Sequence, residues 1–392
     1  MDNNIPFFSI VIPTKNRHDL LHDSIYSALN QNFDNIEVIV SDNWNDEKTK
    51  QTIDSFLPNN KLKYVRPEQE LNMLNHWEFA SKHATGKWVI LLPDRKILYQ
   101  GALQYLFDKI NKHPEINCLS FRITSYNENT NLFYTERPKA KDCIVKTKDL
   151  IANFLNTNYF SPDSLDMQYP KTLNGAFKNE FAQLVRSKTG HYFNTPGVTT
   201  PDYSSFFYNA LLNDESLYID KRLGIAQGEE KSNGRLFGNG NITKYLSMLN
   251  LTEEALYELL VPIRQAFIYN WLIIDYLKIQ RILQLPNTPI NEINYFKTIY
   301  TELNNKLKSN LMNDVQKKEF EDSFYNALAK TNLTKTEVCV LPTKKQNNKI
   351  TIYNYKNHLR DYVLHNFPTN KILNNLFVKR GKNILYAAHF YN

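Results

Sequence analysis

An uninterrupted apolar run from Trp88 to Leu92 stops abruptly on Pro93-Asp94-Arg95-Lys96 before helical spacing resumes near Gly101. A strand with one wet face would alternate polar and apolar residues, so a continuous run bounded by a turn suits a strand buried on both faces. Such a strand needs a sheet covered by helices on each side. Asp94 then stands at the carboxyl end of an inner strand, and open α/β sheets bind their ligands in the crevice along that edge. One acid followed by two bases at that place suits a phosphorylated ligand. A charged turn leaving a buried strand is the plainer alternative.

The rest of the amino-terminal part keeps the same rhythm. Phe7 to Pro13 reads as a buried first strand, and Thr14-Lys15-Asn16-Arg17 turns into a helix with apolar positions Leu20, Leu21, Ile25, Ala28 and Leu29. Ile36 to Asp42 is a second strand, again ending on an acid, followed by a polar loop from Asn43 to Glu47 and a helix toward Phe56. Leu62 to Arg66 is a third short strand, a helix runs from about Asn72 to His83, and Asn117 to Tyr126 offers a further strand. This alternation predicts a mostly parallel, right-handed doubly wound sheet. The first turn, P-T-K-N-R, has neither G-x-G-x-x-G nor a glycine-rich loop with Lys-Ser/Thr, so dehydrogenase and P-loop NTPase readings fall away. What remains is a nucleotide site made from side chains at strand ends, namely Thr14, Asn16, Arg17, Asp42 and Asp94. For Asn16 and Asp42, helix capping or turn formation is the alternative.

A chain of 392 residues is long enough for two domains, or for one large α/β domain with a helical appendage. Neither a signal peptide nor a stretch of membrane-spanning length is visible, which leads to the expectation of a cytoplasmic protein. Cys118, Cys143 and Cys339 are far apart, show no metal-ligand spacing and fit reduced thiols. Charge is unevenly placed: residues 331–392 hold ten Lys or Arg against two acids, so the tail accounts for the whole excess in a net charge of +7. A basic tail with interleaved aromatics suits either an anionic membrane surface, as an amphipathic helix, or a solvated basic helix. Nucleic acid is not expected, because no reader motif accompanies the charge.

The succession S-I-V-I-P-T-K-N-R, I-E-V-I-V-S-D-N, N-M-L-N-H-W-E-F-A and A-T-G-K-W-V-I-L-L-P-D resembles the nucleotide-sugar-binding half of glycosyltransferase family 2, over roughly residues 5–230. The resemblance implies a GT-A fold, a doubly wound mixed sheet, with a mainly helical carboxyl-terminal region. It further implies that Pro13, Thr14, Asn16, Arg17 and Asp42 hold the base and ribose. Members of the family usually carry D-x-D or D-D-D where this chain has Asp94-Arg95-Lys96, and the later acid binds a divalent metal. Lys96 in that place makes a poorer site for a hard cation. Arg95 and Lys96 are instead expected to meet the diphosphate, without a required metal. The alternative keeps Mn or Mg, with Asp94 as its protein ligand.

Four further segments bear on the site. The insert at 127–170 carries an aromatic patch, Tyr159-Phe160 and Tyr169-Pro170, suited to an acceptor sugar or to packing. Asn174, Gly175 and Ala176 form a small-residue turn before a helix from about Lys178, expected beside the donor sugar, unless Gly175 simply permits a tight turn. Asp202 precedes the apolar helix Phe206 to Leu212, where the resemblance places the catalytic base of inverting transfer. The other account of an Asp after Pro at a helix start is favourable placement in the macrodipole, and Glu180, Asp163 and Asp166 are reserve acids. Gln227 to Asn241 holds Gly228, Gly234, Gly238 and Gly240 and reads as a mobile loop, or as a linker. In a loop closing over the donor, Lys231, Asn233 and Arg235 would bring donors toward the diphosphate.

The expected organisation is a GT-A catalytic domain over 1–230, a glycine-rich loop over 231–241, a helical region over 242–330 and a basic segment over 331–392. The expected activity is inverting transfer of a sugar from a nucleotide-diphosphate donor, a UDP-sugar above all, to a saccharide or lipid-linked saccharide in bacterial surface polysaccharide assembly, of capsule or lipopolysaccharide. A non-catalytic sugar-nucleotide-binding protein of the same fold is the reading from a different class.

Overall fold

Strands β1 (Phe8–Thr14), β2 (Ile36–Asp42) and β4 (Trp88–Leu91) are buried along their whole length, as their predominantly apolar sequences suit. A computed structural model describes residues 5–43, 47–127, 132–135, 141–227, 242–257, 261–309, 312–342 and 351–354. With β3 (Leu62–Val65) the three strands form a parallel block in the order β4-β1-β2-β3. Beside β4 the sheet turns mixed. β9 (Gly175–Lys178) runs antiparallel between β4 and β6 (Cys118–Asn127), and β6 pairs with β7 (Leu132–Thr135), which in turn pairs with β11 (Thr351–Asn354). The twelve-residue β10 (Glu215–Ala226) lies parallel to β6 and antiparallel to β5 (Lys96–Leu98) and β8 (Cys143–Lys146).

Successive side chains on a strand point to opposite faces, so each inner strand feeds two cores. Phe8, Ile10 and Ile12 of β1, Val38 and Val40 of β2, and Ile90 of β4 pack on one face with Leu21 and Ile25 of α1 (His18–Leu29), Ile53 of α2 (Glu47–Asp54) and Leu103 and Leu106 of α4 (Ala102–Lys112). Val11, Ile39, Val89 and Leu91 face the other way. There they meet α3 (Met73–Lys82), α5 (Thr147–Asn156), α6 (Asn179–Thr189) and α7 (Pro201–Leu211).

The second core continues without a break into the carboxyl-terminal helices: α8 (Ile242–Ser247), α9 (Glu253–Leu256), α10 (Ile268–Ile282), α11 (Glu292–Lys308), α12 (Asp314–Leu328) and α13 (Lys335–Val338). Phe154 of α5 is surrounded by Phe206, Phe207, Tyr269 and Tyr276, with ring centroids 5.2–6.3 Å away. Tyr169 stacks on Phe206 at 4.4 Å and the hydroxyls of Tyr159 and Tyr203 bond to each other. The aromatic patch of the insert therefore serves packing rather than an open acceptor surface. No helix among the described residues is long and apolar enough to cross a membrane. Most of the basic segment, and the whole glycine-rich loop over 231–241, lie outside the described residues.

Of the small-residue turn expected at 174–176, only Asn174 lies in a turn, at the end of a 3-10 segment over Thr172–Asn174. Gly175 and Ala176 open β9, wedged between β4 and β6. Gly175 has extended backbone, and a Cβ there would lie 2.3 Å from the Leu119 carbonyl oxygen and 2.8 Å from that of Lys171. Glycine is required by this close approach of backbone. Gly175→Ala should cost about 3 kcal/mol or more, as overpacking against backbone does, read as a lowered midpoint in urea unfolding with an unchanged m-value.

Candidate active site

The carboxyl ends of β1, β2 and β4 open into a cleft of about 790 Å³. Its floor is the β1–α1 turn, where Pro13, Thr14, Lys15, Asn16 and Arg17 all line the cavity. Asn16 has φ of +55°, in the left-handed region that asparagine tolerates better than most residues. Arg17, not Asn16, is the residue before α1, and it makes no side-chain cap.

Asp94 stands at the end of β4 in contact with this turn. Its Oδ2 accepts from the Thr14 hydroxyl at 2.8 Å and its Oδ1 from the Arg17 guanidinium at 3.1 Å. The residue is only 1% exposed. Burial raises its carboxyl above the ordinary value, while Arg17 and Thr14 pull against that shift. Both oxygens are thus engaged, one of them by a cation. A divalent ion such as Mn or Mg wants several oxygen ligands, and among the described residues no group of three or more His, Cys, Asp or Glu could hold one. The one carboxylate of this motif is thus already paired with a guanidinium.

Arg95 lines the cleft, with its guanidinium 3.3 Å from the Gln227 carbonyl oxygen. Lys96 does not, and this corrects the expectation that it meets a diphosphate. It begins β5, is 5% exposed, and donates to the carbonyl oxygen of Leu173 at 2.6 Å and to Asn174 Oδ1 at 2.8 Å. Burial pushes its ammonium well below the ordinary value, and neighbouring Arg95 adds to the shift. Lys96 therefore holds the turn before β9, with Asn174 as its partner. The cationic residues on the lining are Lys15, Arg17 and Arg95, against Glu70, Asp94 and Asp202. Lys15 pairs with Glu70 and Arg17 with Asp94.

Asp42 ends β2 one residue behind the cleft wall, 1% exposed, its Oδ2 accepting from Tyr64 at 3.2 Å. The lining residue is Asn43, whose side chain makes two bonds to the backbone of Leu71, at 2.7 and 2.9 Å, and so ties the strand end to the segment before α3. His76 on α3 also lines the cleft. Its Nε2 lies 3.0 Å from Ser41 Oγ, and burial pushes the imidazole down to about 4, so it is uncharged near neutrality. Neither Asn43 nor His76 is distinguishable by spacing from capping or core residues.

On the far wall stands Asp202, at the second position of α7. Burial raises its carboxyl above the ordinary value, and Lys171 is the largest influence in the opposite direction. The Lys171 ammonium sits 4.9 Å from the centroid of the Tyr203 ring. The reserve acids Glu180, Asp163 and Asp166 do not line the cleft. Lys231, Asn233 and Arg235 lie outside the described residues.

The remaining wall was not foreseen. Tyr245, Ser247, Met248 and Asn250 from α8 and its following turn, and Ile268 and Leu272 from α10, line the cleft together with Met73 and Trp77. Their apolar positions belong to helical patterns that read as ordinary packing, and only the folded chain brings them to the strand ends.

Residues 9–171 match the sequence profile of glycosyl transferase family 2. The chain is 28% identical over 185 residues to GalNAc(5)-diNAcBac-PP-undecaprenol beta-1,3-glucosyltransferase of Campylobacter jejuni subsp. jejuni serotype O:2; the similarity covers 46% of this chain and 59% of that protein. Among solved structures, S. aureus TarS 1-349 is similar with a TM-score of 0.46 at 12% identity, over 82% of this chain and 88% of that one. The same TarS segment in complex with UDP-GlcNAc gives a TM-score of 0.45 at 13% identity, over 84% and 74%. The profile match spans β1 to the segment before β9, the part of the chain that supplies the strand-end floor of the cleft, and over those residues the chain is similar to glycosyltransferase family 2.

Proposed function

We propose that the protein transfers a sugar from a nucleotide-diphosphate donor, a UDP-sugar, to a saccharide or lipid-linked saccharide acceptor by a single inverting displacement. One observation carries this reading: a single cleft holds a strand-end floor with Arg17, Asp94 and Arg95 and, on its other wall, a carboxylate with a raised proton affinity, Asp202. The nucleotide would lie over Pro13 to Arg17 and Asn43, with its diphosphate toward Arg17 and Arg95. The acceptor hydroxyl attacks the anomeric carbon, the bond from that carbon to the diphosphate oxygen breaks, and the electron pair leaves with the nucleoside diphosphate. Asp202 takes the hydroxyl proton. Developing charge on the leaving phosphate meets guanidinium groups, which suit bidentate phosphate recognition.

The lipid-linked character of the acceptor is supported by the undecaprenol-linked saccharide in the name of the Campylobacter relative, 59% of whose length this chain covers. The apolar wall of Met248, Ile268 and Leu272 is compatible with it. Metal independence is supported by the engagement of both Asp94 oxygens. A peripheral contact of the basic tail with an anionic membrane surface on the cytoplasmic side is part of the same proposal.

Calorimetric titration with a panel of nucleoside diphosphates should show UDP binding that is unchanged by EDTA. Binding that appears only with Mn or Mg would overturn the metal-free account, and binding of none would overturn the donor assignment. With a panel of UDP-hexoses and water as acceptor, Asp202→Asn should lower turnover by about 10² to 10⁴, the usual worth of a positioned base, with UDP affinity unchanged. Asp202 works only when ionised, so turnover should fall as pH drops through its pKa. Lys171 lowers that pKa, and Lys171→Met should therefore move the acid limb of the profile to higher pH.

A further inference from the structure

Helix α7 carries Asp202 in its first turn. Thr200, the residue before the helix, makes no side-chain cap of its own. The donors at this end turn instead to Asp275, in the middle of α10 and fully buried. Asp275 Oδ1 accepts from the Thr199 N–H at 2.7 Å, and Oδ2 accepts from the Thr200 N–H at 3.0 Å and from the Thr200 hydroxyl at 2.6 Å. The Thr199 hydroxyl is shared between both oxygens at 3.2 and 3.1 Å. A carboxylate held by donors alone at a helix start satisfies N–H groups that would otherwise lack partners and complements the dipole.

Two further bonds fix the same segment from the same side. Lys278 Nζ donates to the Gly197 carbonyl oxygen at 2.7 Å, and the Tyr245 hydroxyl to that of Thr199 at 2.9 Å. The approach to α7 is thus gripped on both its donors and its acceptors by α8 and α10.

The pattern repeats one helix further on. Phe267 precedes α10 and gives it no side-chain cap. Glu302 of α11, 4% exposed, accepts from the N–H groups of Ile268 at 2.8 Å and Tyr269 at 3.3 Å. Ile268 and Asp275 are about two helical turns apart, so the grip on the start of α10 sets the height at which Asp275 meets α7. Burial raises both carboxyls to about 7, which marks how little water reaches either cap.

We infer that Asp275 is a positioning residue for Asp202, and that Glu302 acts behind it by holding α10, so that the carboxyl-terminal helices set the aim of the proposed base. This deepens the transferase reading and rests on it for the role of Asp202. The geometry needs no contact between Asp275 and substrate.

The test compares Asp275→Asn, Glu302→Gln and Asp202→Asn in the full chain, by hydrolysis of the most active UDP-hexose and by hydrogen–deuterium exchange. Asp275→Asn should lower kcat on the order of 10- to 100-fold, the range expected for a misplacement of about 1 Å, with KM within about twofold, a split that a merely structural residue would not give. Amides of residues 199–205 should exchange faster in both cap variants, and Glu302→Gln should lower kcat less than Asp275→Asn. Should Asp275→Asn fail to fold, Thr200→Val should lower kcat and Thr200→Ser, which keeps the hydroxyl, should restore it. Unchanged kcat in Asp275→Asn, or a loss of active protein with normal kcat per folded molecule, overturns the positioning role. Unchanged exchange at 199–205 in Glu302→Gln overturns the relay, whatever the activity. Full turnover in Asp202→Asn overturns the function reading instead, and the exchange measurement still decides whether the relay exists.

Discussion

The carboxylate of Asp94 is shared between the Thr14 hydroxyl and the Arg17 guanidinium, and the floor of the cleft depends on that sharing. Strands buried on both faces are mostly apolar until they end. β1 and β4 are neighbours in the sheet, so the turn after one and the acid after the other meet at one edge. A buried carboxylate is stable there because a cation and a hydroxyl satisfy it. The same pairing holds Arg17 on the floor of the cleft. One interaction therefore both builds the floor and sets the charge it presents.

The parallel half of the sheet was legible because it rests on local signals. Continuous apolar runs end on turn residues, and the helices between them have clean spacing, so the reading over Ile36 to Asp42 agrees with β2 residue for residue. β5 escaped notice because Lys96 sits at its start, and a charged residue in a short segment argues for a turn unless its buried partners are known. Gly175 and Ala176 read as a turn for a related reason. Small residues suit an open turn and a tight strand crossing equally well, and only the Leu119 carbonyl beside Gly175 separates the two.

The site divides in the same way. The strand-end residues Pro13 to Arg17 and Asp94 could be grouped in advance, since topology alone brings the ends of inner strands together. Lys96 could not be placed, because a step of one residue along an extended chain reverses the direction of the side chain. The Asp275 and Glu302 caps are invisible in the sequence for a deeper reason. Each acid lies in an apolar helix, more than sixty residues from Thr199 in one case and more than thirty from Ile268 in the other, and no local pattern links an acid to a helix start that far away.

The stretch recognisable as the family domain ends at residue 171, before Asp202, α8 and α10 enter the cleft. What similarity recognises is therefore smaller than what folds. Phe154 and Phe207 lean on Tyr269 and Tyr276, and a fragment trimmed to the recognised boundary would leave such aromatic surface wet and prone to self-association. The natural unit for transplanting this protein's chemistry, by gene fusion or domain exchange, is set by the aromatic seam and runs through the helices beyond it.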